Sequence, residues 1–166
     1  MCQSVQRYAY GGVLAVNPKR FIPIGIIPVW SAVECVEEVK RIANLGHKGI
    51  LWGGLSDIFG YPWMGDRYWY PLWEAVQEIG MVLCLHQQSV AVERIKVEMG
   101  KTPENMRRAI HSCHKVSTIQ PTQELLLSGI LEKFPKLRVL LAESGVGWLP
   151  FVLQVHDRSA SNPTST

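Results

Sequence analysis

The sequence predicts an α/β protein built on a parallel sheet, with about four consecutive strand–helix units. Three observations carry this. Short continuous apolar runs, the pattern of strands buried on both faces, recur along the chain. Amphipathic segments of helical period stand between them. Two of the runs end on chemically active side chains: Met81-Val82-Leu83-Cys84-Leu85-His86, and Arg138-Val139-Leu140-Leu141-Ala142-Glu143.

The first strand is expected within Phe21–Trp30, where Pro23 and Pro28 withhold ladder donors and make it irregular or an edge strand. The next helix opens on a capping box, Ser31 with Glu34. It carries Val33, Val36, Val39, Ile42 and Leu45 as an apolar stripe, with Glu34, Glu37, Glu38, Lys40 and Arg41 toward water, and Gly46 ends it. The second strand is Gly49-Ile50-Leu51-Trp52. A loop rich in glycine and aromatics leads to Tyr70, and Pro71 suits a helix start, with Leu72, Val76 and Ile79 on one face and Gly80 past the end.

The third strand ends on His86. A long polar connection follows, with a helix opening at Thr102-Pro103-Glu104. Connections of this length in compact domains are usually functional. Thr122 to Phe134 leads into the fourth strand, and a final helix begins near Pro150. Residues 14–158 are the expected folded unit, 1–13 an N-terminal segment that matches it poorly, and 159–166 a disordered tail.

Strand–helix alternation leaves two architectures: an open doubly wound sheet, or part of a closed (β/α)8 barrel. Neither Gly-x-Gly-x-x-Gly nor the P-loop pattern occurs. A full barrel takes about 250 residues; with 166 residues and four units, the chain corresponds to about half of one.

Composition narrows the function. With 47% hydrophobic and 19% charged residues the chain is globular, and no run reaches the roughly 18 apolar residues of a membrane span. The N-terminal residues are too polar for a signal peptide. Four cysteines without a CxxC pair suit a reduced, cytoplasmic setting. The net charge of +3 comes from scattered Lys and Arg, which gives no phosphate-tracking stripe. Neither nucleic acid nor a membrane is an expected partner.

Several stretches resemble the amidohydrolase-related enzymes of the aminocarboxymuconate-semialdehyde decarboxylase type. They are Asn17-Pro18-Lys19-Arg20-Phe21, Leu45-Gly46-His47-Lys48-Gly49, Asp66, Tyr70-Pro71-Leu72-Trp73, Leu85-His86, Ser128-Gly129, Phe134-Pro135-Lys136-Leu137-Arg138 and Ala142-Glu143-Ser144-Gly145-Val146-Gly147-Trp148-Leu149-Pro150. The resemblance implies a partial (β/α)8 barrel spanning roughly the third to sixth strands. It implies hydrolysis or non-oxidative decarboxylation of a small carboxylic acid, with a divalent metal, zinc or manganese. Such enzymes hold the metal with His-x-His on the first strand, a histidine ending the fifth and an aspartate ending the eighth.

His86 then takes the fifth-strand metal-ligand position. Glu143 stands where many relatives carry a catalytic histidine, and is the expected proton-handling or metal-proximal group. Trp30 and Trp52, at strand ends, are candidates to line the substrate pocket. The chain contains no His-x-His, and Asp157 falls in a helix. Two alternatives stand beside this one: a non-catalytic truncated remnant, and an open α/β binding module. A half barrel also leaves open sheet edges, and self-association through them is expected. His111 and His114 flanking Cys113 form a weaker metal candidate, while His47 and His156 read as surface residues.

Overall fold

The computed structural model describes residues 16–53, 57, 60–86, 103–104 and 117–161, the side chains of 159–161 excepted. Among the described residues, four strands form one sheet in the order β1-β2-β3-β4, and every neighbouring pair is parallel. They are β1 (Ile24–Ile26), β2 (Gly49–Trp52), β3 (Val82–His86) and β4 (Arg138–Ala142). The helices are α1 (Ala32–Asn44), α2 (Tyr70–Ile79), α3 (Ile119–Leu127), α4 (Ile130–Lys133) and α5 (Leu149–Ser161). Sequential parallel strands without a reversal of order make an arc of a barrel; a doubly wound sheet needs a switch point.

Each expected strand–helix unit is present, with differences that have physical causes. β1 is only three residues long and is the outermost of the described strands. Pro23 and Pro28 account for both. In α1, Ser31 Oγ accepts from the Glu34 amide at 3.3 Å, as the capping box requires. The Glu34 carboxylate instead takes the indole N–H of Trp30 at 2.9 Å. The buried stripe of α1 is Ala32, Cys35, Glu38, Val39 and Ile42, whereas Val33 is exposed. The expected stripe was therefore rotated by about one position, and Glu38 does not face water. Arg41 grips both oxygens of Glu38 at 2.7 Å, which compensates the buried carboxylate.

Gly46 and Gly80 adopt left-handed conformations at the ends of α1 and α2. In α2, Leu72, Trp73, Ala75 and Val76 are buried while Ile79 is largely exposed. α5 continues to Ser161, so residues 159–161 are helical where a disordered tail was expected. Residues 1–13 and 162–166 lie outside the described residues. So do the His111–His114 candidate and most of the connection between His86 and Pro121.

Side chains alternate across a strand, and the register assigns the two faces. Ile50, Trp52, Leu83, Leu85, Val139 and Leu141 pack against the helical layer with Cys35, Val39, Ile42, Leu72 and Trp73. The opposite face carries a row in register, Ile26, Leu51, Cys84 and Leu140. Ile26 is 42% exposed and Leu140 51%. Among the described residues, helices pack on the first of these faces, and the row on the second, concave face is partly exposed.

Candidate active site

His86 is the last residue of β3, and alternation places it on the concave face above Cys84. Its partner in register is Ala142, the last residue of β4. Glu143 is therefore one residue past the equivalent position. Strict alternation would send its side chain toward the helices. The backbone prevents this: Glu143 sits at φ 55°, the one non-glycine residue with positive φ among the described residues. That left-handed kink turns the chain, and the Glu143 Oε2 lies 3.5 Å from His86 Nε2. A carboxylate-bearing residue in this conformation costs about 1–2 kcal/mol relative to glycine. Such strain clusters at functional sites.

Both groups reach solvent, at 37% and 57% side-chain exposure. They project from the C-terminal ends of parallel strands, the end that carries the chemistry of α/β barrels. His86 and Glu143 thus share one rim, with their side chains 3.5 Å apart.

One nitrogen and one oxygen donor fit part of a divalent metal site. With bonds of about 2.0–2.2 Å, donors 3.5 Å apart can both reach one ion. Two donors are fewer than the three protein ligands usual in catalytic zinc sites. No group of three or more His, Cys, Asp or Glu capable of holding a metal occurs among the described residues. Cys84 lies below His86 on the same face, and burial pushes its thiol pKa up, which disfavours the thiolate a metal would need.

The two tryptophan candidates separate. Trp30 follows β1, stays 52% exposed and is held by Glu34, so it remains accessible near the rim. Trp52 does not line a pocket. It is 1% exposed on the helical side of β2, edge-on to Trp69 at 4.9 Å and to Trp73 at 5.0 Å. Parity decides this, because Trp52 pairs with Leu85, the neighbour of His86 that faces the helices. Trp69 and Trp73 in turn donate to the carbonyls of Pro62 and Met64, which pins the loop after β2.

Sequence reasoning missed the burial of His47, which is 5% exposed behind α1. Burial holds its pKa below the ordinary imidazole value, against a smaller upward pull from its hydrogen bond to the Ile42 backbone. Its place right after a helix-ending glycine gave no hint of this. Asp66 is a helix-entry residue, accepting from the Tyr68 amide at 2.8 Å.

The family model described as Amidohydrolase matches residues 2–161. This chain belongs to the amidohydrolase family. The match reaches further toward the N-terminus than the motifs quoted above. A curated relative, 2-amino-3-carboxymuconate-6-semialdehyde decarboxylase of Dictyostelium discoideum, is 25% identical over 142 residues, covering 85% of this chain and 36% of its own. Solved structures agree on the amidohydrolase fold. 2,6-Dihydroxybenzoate decarboxylase from Rhizobium superposes with a TM-score of 0.71 at 20% identity, over 99% of this chain and 51% of its own. 5-Carboxyvanillate decarboxylase from Novosphingobium aromaticivorans, with manganese and 4-hydroxy-3-methoxy-5-nitrobenzoic acid, gives 0.71 at 18%, over 98% and 45%. This amidohydrolase chain spans between about a third and a half of the length of these relatives.

Proposed function

We propose that this chain forms part of the active-site rim of a metal-dependent amidohydrolase that decarboxylates or hydrolyses a small, often aromatic, carboxylic acid. The observation that carries the reading is the convergence of His86 and Glu143 at 3.5 Å on one strand-end rim, achieved by a strained backbone at Glu143. Relatives named as carboxy-lyases of hydroxylated benzoates, one holding manganese, support the substrate class and the choice of a divalent ion.

In this reading His86 would be one ligand of the metal. Glu143, exposed at the rim, accepts or returns a proton at the substrate. When bound there by His86 and Glu143, a divalent ion, manganese or zinc, would supply Lewis acidity. Trp30 offers an accessible aromatic face near the rim. Cys35 and Cys84, both buried and outside any disulfide, support a reducing, cytoplasmic setting.

Calorimetry of 2,6-dihydroxybenzoate binding, with and without Mn²⁺, tests the reading on the chain and on His86→Ala. Binding that needs both the ion and His86 is expected. Binding that is indifferent to both would remove His86 from the site.

A further inference from the structure

We infer that Trp148 is a positioning residue for Glu143: its indole N–H fixes the turn after β4 in the conformation that aims the carboxylate at His86. The role of that carboxylate at a metal rests on the function proposed above, whereas the hold on the backbone does not.

Glu143 is held at φ 55°, and a non-glycine residue stays in such a conformation only where its surroundings over-determine it. Two fixed points bracket it. Upstream, β4 is paired to β3 as far as Ala142, which is in register with His86. Downstream, Trp148 Nε1 donates to the Ser144 carbonyl oxygen at 2.8 Å. Only the backbone rotations around Glu143 and Ser144 lie between these points. Trp148 is itself anchored, because its carbonyl accepts from the amide of buried Val152 in the first turn of α5.

The outer part of the turn has little packing to hold it. Gly145 is left-handed at φ 62°, and Val146 is 69% exposed. A Cβ added at Gly145 or Gly147 would meet nothing within 4 Å. The main-chain bond from the Leu149 amide to the Val146 carbonyl closes only the last step into α5.

The acceptor makes the indole N–H hard to replace. Ser144 is 2% exposed, so water has little access to its carbonyl. Losing the donor leaves a buried acceptor unpaired, which costs more than the bond itself contributed. The peptide after Ser144 then turns toward solvent, and Glu143 relaxes toward the extended backbone that L residues prefer. Extended backbone sends its side chain to the helical side of the sheet, away from His86. A tryptophan that only filled space would need its ring and not its N–H.

The test separates the two. 3-Benzothienylalanine in place of Trp148 keeps the bicyclic shape and loses only the donor; Trp148→Phe is the encoded counterpart. Circular dichroism checks that each variant keeps the fold. The NOE between the Glu143 amide and its own Hα, strong at positive φ, should fall in both variants. Mn²⁺ binding by calorimetry should weaken by roughly three- to tenfold. In a Glu143→Gln background the same replacements should change Mn²⁺ affinity by less than about twofold. An unchanged NOE in the benzothienyl variant, or an equal loss of Mn²⁺ affinity in both backgrounds, would overturn the inference and leave Trp148 a packing residue. An NOE that falls with the donor, in a chain that binds no Mn²⁺ at all, upholds the hold on Glu143 and removes the metal reading instead.

Discussion

Replacing Glu143 by glycine separates the two roles a carboxylate at this turn can have. At φ 55° the residue pays a left-handed penalty that glycine escapes, about 1–2 kcal/mol. Against that, glycine loses more backbone entropy on folding, about 0.4–1 kcal/mol. The side chain is 57% exposed, and its contact with His86 is a long 3.5 Å. An exposed pair of this kind is worth about 0–1 kcal/mol. The sum places Glu143→Gly between about 1 kcal/mol less stable and about 1.6 kcal/mol more stable than wild type. Glu143→Gln keeps the strain and the shape, and should change stability by less than about 0.5 kcal/mol. Both variants should weaken Mn²⁺ binding. Urea unfolding followed by circular dichroism measures the first effect and calorimetry the second. If both variants lose more than about 1 kcal/mol while Mn²⁺ affinity stays unchanged, the carboxylate holds the 144–147 turn together and has no chemical task.

Trp52→Ala should cost about 3–5 kcal/mol, because it empties a buried space between Trp69 and Trp73. Trp30→Ala, which loses one exposed hydrogen bond, should cost about 1 kcal/mol or less; equal costs in urea unfolding would contradict the packing described. Because the folded-state pKa of buried His47 lies below the unfolded value, the unfolded chain takes up the proton first. Stability should therefore be constant above about pH 6.5 and fall as the pH drops below it; thermal melts of wild type and His47→Gln would show this, and an unchanged slope in the variant would exclude His47. Gly49→Ala places a Cβ 2.6 Å from the Val82 carbonyl oxygen and should destabilise by about 1–3 kcal/mol; a neutral result would mean that β2 and β3 are spaced more widely.

The strands, their parallel order and the rim were legible because each rests on a local signal. Apolar runs mark strands, Gly46 and Gly80 mark helix ends, and His86 and Glu143 punctuate the runs. What escaped depends on parity and tertiary context. The apolar stripe of α1 was misplaced because a buried Glu38 satisfied by Arg41 looks, in sequence, like a solvent-facing acid. Trp52 and His86 both end strands, yet they face opposite sides of the sheet, and only the register reveals which faces the helices. The one-residue offset of Glu143 and the backbone kink that corrects it leave no mark in the sequence. A glycine at that position would have announced the conformation, and a glutamate conceals it.

The central claim is that His86 and Glu143 are jointly metal-proximal, and paramagnetic broadening by Mn²⁺ tests it most directly. Added in substoichiometric amounts to the isotope-labelled chain, the ion should broaden the side-chain resonances of His86 and Glu143 first. His47, buried behind α1, and His156, on α5, should stay sharp. The broadening should vanish in His86→Ala. Uniform broadening of all histidines, or broadening at Glu143 that persists without His86, would contradict the account.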